Sequence, residues 1–197
     1  AAVAAALLLA GAAMTLRNDP NGATANLAVT LFGGIYAGLP LGLLLALRKS
    51  AAHPIEGNFL VAFLIVVTWC ADSGAYFVGR AWGRRKLCEK ISPKKSVEGL
   101  LGGFAALGLA AVAMRCAPLP GREVLSAFDT VALTLIICVI GPLGDLTESL
   151  LKRDAGVKDS GPDFTGHGGM LDVIDSLLFV APAAYLYFFA ARPDFLL

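Results

Sequence analysis

Residues 141–176, GPLGDLTESLLKRDAGVKDSGPDFTGHGGMLDVIDS, concentrate the groups in this 197-residue chain that could do chemistry. Apolar runs at 130–143 and 177–191 flank a stretch rich in carboxylates, cations and glycines. On a helix, Asp145, Glu148, Ser149 and Lys152 share one face, because residues three and four apart are neighbours on a helix surface. Lys158, Asp159 and His167 follow in a loop closed by Gly168 and Gly169, and Asp172 and Asp175 again share a face. Ionisable groups embedded in such apolar surroundings are costly to maintain and point to function. Asp145, Asp172 and Asp175 supply the hard oxygen donors that Mg²⁺ takes alongside water and phosphate oxygens. That chemistry serves phosphoryl-group transfer, where an ion neutralises polyphosphate charge. Two other readings stand beside it. The acids could pair with Lys152 and Arg153 and only hold helices together, or they could bind the coupling ion of a transporter.

The cations fit polyanionic substrates. Lys152, Arg153 and Lys158 lie within seven residues of one another, and Lys94 and Lys95 stand in another polar connection. Charge-assisted bonds from such groups bind phosphates, although basic loops also set topology and attract anionic lipid. Backbone N–H groups at the Gly168-Gly169 turn, just before a helix, form a phosphate seat. His167 could bond a phosphate oxygen or act as acid or base. Asp72, with Ser73 and Tyr76 nearby, either completes the site or bonds a buried cation. A net charge of +1 excludes a general nucleic-acid binder. The four cysteines form no CxxC or Cys/His cluster and read as small apolar packers.

These groups need elements to position them. The residues AVILMFWYC make up 57% of the chain, and there are 22 glycines, as in packed membrane helices. Apolar segments at 1–16, 25–47, 58–80, 97–115, 129–151 and 171–191 predict an all-α, multi-pass transmembrane bundle of about six spans in a single domain, 1–197. The connection from 80 to 96 reads as a short basic loop, with Ser92-Pro93 suited to a helix entry. Glu98 beside Lys94 and Lys95 reads as a helix-face ion pair. If every segment spans, Arg17, the basic residues between Arg80 and Lys95, and Lys152, Arg153 and Lys158 share one side. They outnumber Arg48, Lys49, Arg115, Arg122 and Arg192 opposite, so the first side is expected to be cytoplasmic.

The order Ser149-x-x-Lys152-Arg153, Lys158-Asp159, His167-Gly168-Gly169, Asp172-x-x-Asp175 closely resembles the C-terminal signature of phosphatidate cytidylyltransferases, also called CDP-diacylglycerol synthases. A second segment agrees: Trp69-Cys70-Ala71-Asp72-Ser73-Gly74-Ala75-Tyr76, Gly79-Arg80, and Ser92-Pro93-Lys94-Lys95-Ser96-Val97-Glu98-Gly99. Together the resemblance covers 69–179, which it marks as the catalytic core. The chain departs from the family at Val173, where Arg is usual, and at Ser96, where Thr is usual. The resemblance implies transfer of cytidylate from CTP to phosphatidate at the cytoplasmic face of the cell's inner membrane. It implies Asp145, Asp172 and Asp175 as Mg²⁺ ligands, with Lys152 and His167 also in the catalytic set. Asp72, Lys94, Lys95, Ser96, Ser149, Arg153, Lys158, Asp159, Gly168 and Gly169 would bind substrate. It further implies a second, monovalent cation, a homodimer and additional N-terminal spans that this chain is expected to lack. Alternatives are a polyprenol-type kinase, an archaeal-lipid cytidylyltransferase or an ion-coupled transporter.

Overall fold

The computed structural model describes residues 2–17, 20–162 and 168–196. Its main helices are α1 (Ala2–Arg17), α2 (Ala23–Ser50), α3 (Pro54–Trp82), α4 (Val97–Cys116), α5 (Ala127–Asp154) and α6 (Met170–Ala191). A short α7 (Pro193–Leu196) follows, and a 3₁₀ turn (Arg122–Val124) precedes α5. Five of these, α2 to α6, are long and apolar enough to cross a membrane by length and composition. With 16 residues, α1 is about 24 Å long, short of a hydrocarbon core of roughly 30 Å. The six expected segments are thus all helical, and five have spanning length. Their outward faces carry Leu101, Leu109 and Val112 on α4 and Phe128, Val131, Leu135 and Val139 on α5, all exposed. Such apolar stripes suit contact with lipid rather than water.

The 80–96 connection differs from its expectation. Instead of a loop, Lys86–Cys88 (β1) and Ser92–Ser96 (β2) pair as an antiparallel hairpin, Lys86 opposite Ser96 and Cys88 opposite Ser92. Pro93 sits inside β2, which a two-stranded ribbon tolerates because each strand has a free edge. The helix entry is Ser96, whose hydroxyl accepts from the Gly99 N–H at 3.1 Å. Glu98 does not pair with Lys94 or Lys95; its carboxylate accepts the Arg84 and Arg85 N–H groups at 2.9 and 3.1 Å. These bonds tie the hairpin to the start of α4.

Small residues set the helix spacing. A Cβ on Gly99 would lie 2.8 Å from the Ala75 carbonyl, and one on Gly103 would lie 2.8 Å from that of Ala71. The backbones of α3 and α4 therefore touch, the packing by which membrane helices associate without a hydrophobic drive. The interior is completed by Leu60, Phe63, Leu64, Val67, Leu107, Leu133, Ile137, Val180 and Phe188. At 28 residues α5 extends about 42 Å, longer than a hydrocarbon core of roughly 30 Å, and carries Glu148 and Lys152 in its last turns.

A polar network fixes the opposite end. Asp129 forms a capping box with Ser126 and accepts from Tyr187 Oη at 2.6 Å and from Arg192 at 2.8 Å. Arg192 also reaches the Val124 carbonyl. Truncating Arg192 leaves the buried Asp129 charge without its cation. Arg192→Ala is expected to cost on the order of 3 kcal/mol, read as a lower Tm in detergent. Adding Asp129→Asn should recover part of that loss, which a purely steric role for Arg192 would not allow.

Candidate active site

The cytoplasm-expected ends of α3, α5 and α6 converge with the loop after α5 on one polar cleft of about 310 Å³. Asp72, Asp145, Lys152, Arg153, Lys158, Asp159, Asp172 and Asp175 line it. Gly144 permits the convergence: a Cβ there would stand 2.8 Å from the Asp175 carbonyl and 3.1 Å from the Ser176 Cα. The backbones of α5 and α6 meet at this level, which brings the Asp145 and Asp175 carboxyl groups within hydrogen-bonding reach of each other. Asp175 is buried, and its neighbour Ser176 donates its hydroxyl to Asp72 at 3.4 Å. Trp69 ties α3 to the start of α6 by donating its indole N–H to the Val173 carbonyl at 3.2 Å.

The cations already answer these acids. Lys95 pairs with Asp145, and Lys152 bridges the buried Glu148 on its own helix and Asp172 on α6. Asp172 is the most heavily bonded group of the site. Its Oδ2 accepts from the Ser160 N–H at 2.9 Å, the Ser160 hydroxyl at 2.6 Å and the Gly169 N–H at 2.7 Å. It thereby pins the loop after α5 onto the first turn of α6. Gly168, at φ +98°, makes the turn in a backbone region that only glycine enters readily. Arg153 donates to the Val157 carbonyl at 3.0 Å and closes the C-terminal end of α5.

The five aspartates named from the sequence, Asp72, Asp145, Asp159, Asp172 and Asp175, share the cleft, and so do Lys152, Arg153 and Lys158. Others fall elsewhere. Ser149 is buried within the α5 packing surface, Ser96 is spent as a helix cap, and Lys94 lies on the hairpin facing a second cavity. His167 lies outside the described residues. Glu148, Ser160 and Ser176 emerge as partners that sequence reasoning did not assign to the site. Ser176 stands four residues after Asp172, so helical periodicity could have flagged it; nothing local marks Ser160.

An all-oxygen donor set of several carboxylates in one cleft fits a hard divalent ion that keeps part of its water and takes phosphate oxygens. The ammonium groups of Lys95 and Lys152 hold positions beside these carboxylates that suit positive charge. Among the described residues no group of three or more acidic, His or Cys side chains is arranged to hold a metal ion by itself.

Fold and cleft together define a multi-pass helical membrane protein with an acid-and-cation site at one end of its bundle. The chain belongs to the cytidylyltransferase family, whose sequence profile matches residues 1–191. It is 46% identical over 149 residues to a phosphatidate cytidylyltransferase of Haemophilus influenzae, covering 74% of this chain and 51% of that protein. A phosphatidate cytidylyltransferase of Bacillus subtilis is 44% identical over 158 residues, covering 80% of this chain and 55% of that protein. One of Thermotoga maritima is 41% identical over 140 residues, 68% of this chain and 52% of that protein. The chain thus spans about half the length of the curated relatives it matches.

Proposed function

We propose that the chain forms a single membrane-embedded domain, with its catalytic core at 69–179, that transfers cytidylate from CTP to phosphatidate. The products are CDP-diacylglycerol and pyrophosphate. The observation that carries this reading is the cleft in which Asp72, Asp145, Asp172 and Asp175 face Lys152, Arg153 and Lys158, in a chain of the cytidylyltransferase family. Asp145, Asp172 and Asp175 would hold Mg²⁺, which when bound supplies charge neutralisation of the triphosphate. Exposed Lys158 and Arg153 at the mouth bind the β- and γ-phosphates. Lys152, held between Glu148 and Asp172, orients the acid set and carries positive charge to the α-phosphate. A phosphatidate oxygen attacks the α-phosphorus. Being ionised near neutrality, it needs no strong base, so positioning and electrostatics lower the barrier. The reading includes a second, monovalent cation and a homodimer, both carried by family resemblance.

Purified protein given CTP and phosphatidate should release pyrophosphate. A lipid kinase would instead release CDP, and that product would replace this reading. The cleft is proposed to face the cytoplasm from the inner membrane, on the strength of the cation distribution. In a cysteine-free background, Lys90→Cys should react with an impermeant maleimide only from the cytoplasmic side, and Pro120→Cys only from the other. Labelling of both from one side contradicts that topology.

A further inference from the structure

Most of α2 faces outward, with Val29, Phe32, Ile35 and Leu39 exposed. Tyr36 breaks the pattern. It is the one polar side chain between Thr30 and Arg48, and helical spacing puts it on the face of the buried Pro40 and Leu47. Its ring stacks on Phe32 at 5.5 Å and meets Phe179 of α6 edge-on, with centroids 6.4 Å apart. Phe179 lies one turn beyond Asp175, and a Cβ on Gly144 would stand 3.1 Å from the Phe179 Cβ. The phenol thus reaches the seam where α5 and α6 touch. Its oxygen is buried there, and the charges that act on it are those of Glu148, Asp175 and Lys152. Among the described residues the Tyr36 hydroxyl has no hydrogen-bond partner, and neither has Glu148 Oε1. Glu148 is 1% exposed, so bulk water does not serve it, and its other oxygen pairs with Lys152. A buried carboxylate has room for several donors, and a buried hydroxyl left unpaired is costly. A donor short of an acceptor therefore lies beside an acceptor short of a donor.

We infer that Tyr36 is a positioning residue of the site: a small rotation lets its hydroxyl donate to Glu148 Oε1, which fixes the carboxylate that holds Lys152. The inference rests on the reading of the cleft as a cytidylyl-transfer site, and it adds a helix outside 69–179 to that site. Asp175, the other acid near the phenol, already accepts the Ser176 N–H at 2.5 Å and stands within reach of Asp145. Glu148 is the acceptor in need. Lys152 lies between Glu148 and Asp172, so its ammonium goes where those two carboxylates put it. Asp172 is anchored by Ser160 and the Gly169 N–H. Glu148 has no comparable anchor among the described residues, and a carboxylate held through one oxygen swings about its broad terminal torsion. Tyr36 supplies the second hold. It touches neither CTP nor phosphatidate, and acts through Glu148 on the cation that faces the α-phosphate.

The test is Tyr36→Phe in the full chain, purified and assayed in vesicles with CTP and phosphatidate. Phenylalanine keeps the ring and its contacts and removes only the oxygen. The variant should show a kcat about tenfold lower with an unchanged KM for CTP. Phe32→Leu, which disturbs the stacking but leaves the hydroxyl, should keep the wild-type kcat. Stability gives a readout apart from activity. Tyr36→Phe should lower Tm in detergent because a bonded hydroxyl is lost, whereas removal of an unpaired one would leave Tm level or higher. In a Glu148→Leu background, which offers no acceptor, the same change should no longer lower Tm. Wild-type kcat for Tyr36→Phe, an equal loss with Phe32→Leu, or an undiminished fall in Tm without the Glu148 carboxylate would overturn the assignment. So would a raised KM for CTP, which would put the hydroxyl on the nucleotide. Cytidylyl transfer by the wild-type preparation separates the two failures: transfer that Tyr36→Phe does not slow removes only the tyrosine, whereas no transfer removes the reading beneath it.

Discussion

Asp145→Asn is expected to lower cytidylyl transfer about a thousandfold with the protein still folded in the membrane. The side chain lies at the junction of three elements. It pairs with Lys95 from the hairpin, stands within reach of Asp175 on α6, and belongs to both cavities. Asparagine keeps its volume but removes the charge that a divalent ion and Lys95 both require. If Asp145 only tethered the hairpin, the loss would appear as a lower Tm with turnover largely retained. If it is a ligand, turnover falls, and the Mg²⁺ concentration for half-maximal rate rises. Turnover against Mg²⁺, with folded protein quantified, separates the two; near-normal turnover at low Mg²⁺ removes Asp145 from the metal set.

Gly144→Ala should reduce turnover about a hundredfold, because a shift near 1 Å at the reacting groups can cost that much. The added Cβ would meet α6 backbone at 2.8 and 3.1 Å, atoms that cannot rotate away. Relief requires α5 and α6 to separate at the level of Asp145 and Asp175. Gly108→Ala on α4 is the matched control, since a Cβ there meets nothing within 4 Å and alanine favours the helix. Equal activities for the two variants would mean that the close approach of α5 and α6 does not set the site. The glycine argument is therefore testable apart from the charge argument.

The helices were legible because each apolar run is long and bounded by charge or by proline and glycine. Asp145, Asp172 and Asp175 were legible because acids at helical spacing stand out in apolar surroundings. The hairpin was not: β1 and β2 are short, polar and contain Pro93, so neither shows the alternation that marks a strand. The role of Ser96 was hidden for a related reason, since its hydroxyl reads alike as helix cap or phosphate ligand. Partnerships across the chain were less visible still. That Asp172 holds Ser160 and Lys152, or that Lys95 reaches Asp145, depends on helix register and on the glycine contacts of α3 with α4. The division of lysines between two cavities is likewise a property of packing, invisible to spacing along the chain.

The most direct test of the central claim follows the α-phosphate of CTP into lipid. Purified protein in vesicles, with Mg²⁺ and CTP labelled with ³²P at either the α or the γ position, is assayed with and without phosphatidate. The account predicts that α-label enters the lipid fraction only when phosphatidate is present, that γ-label appears only in pyrophosphate, and that Asp145→Asn abolishes both. Gamma-label in lipid, or α-label incorporation that does not depend on phosphatidate, would contradict it.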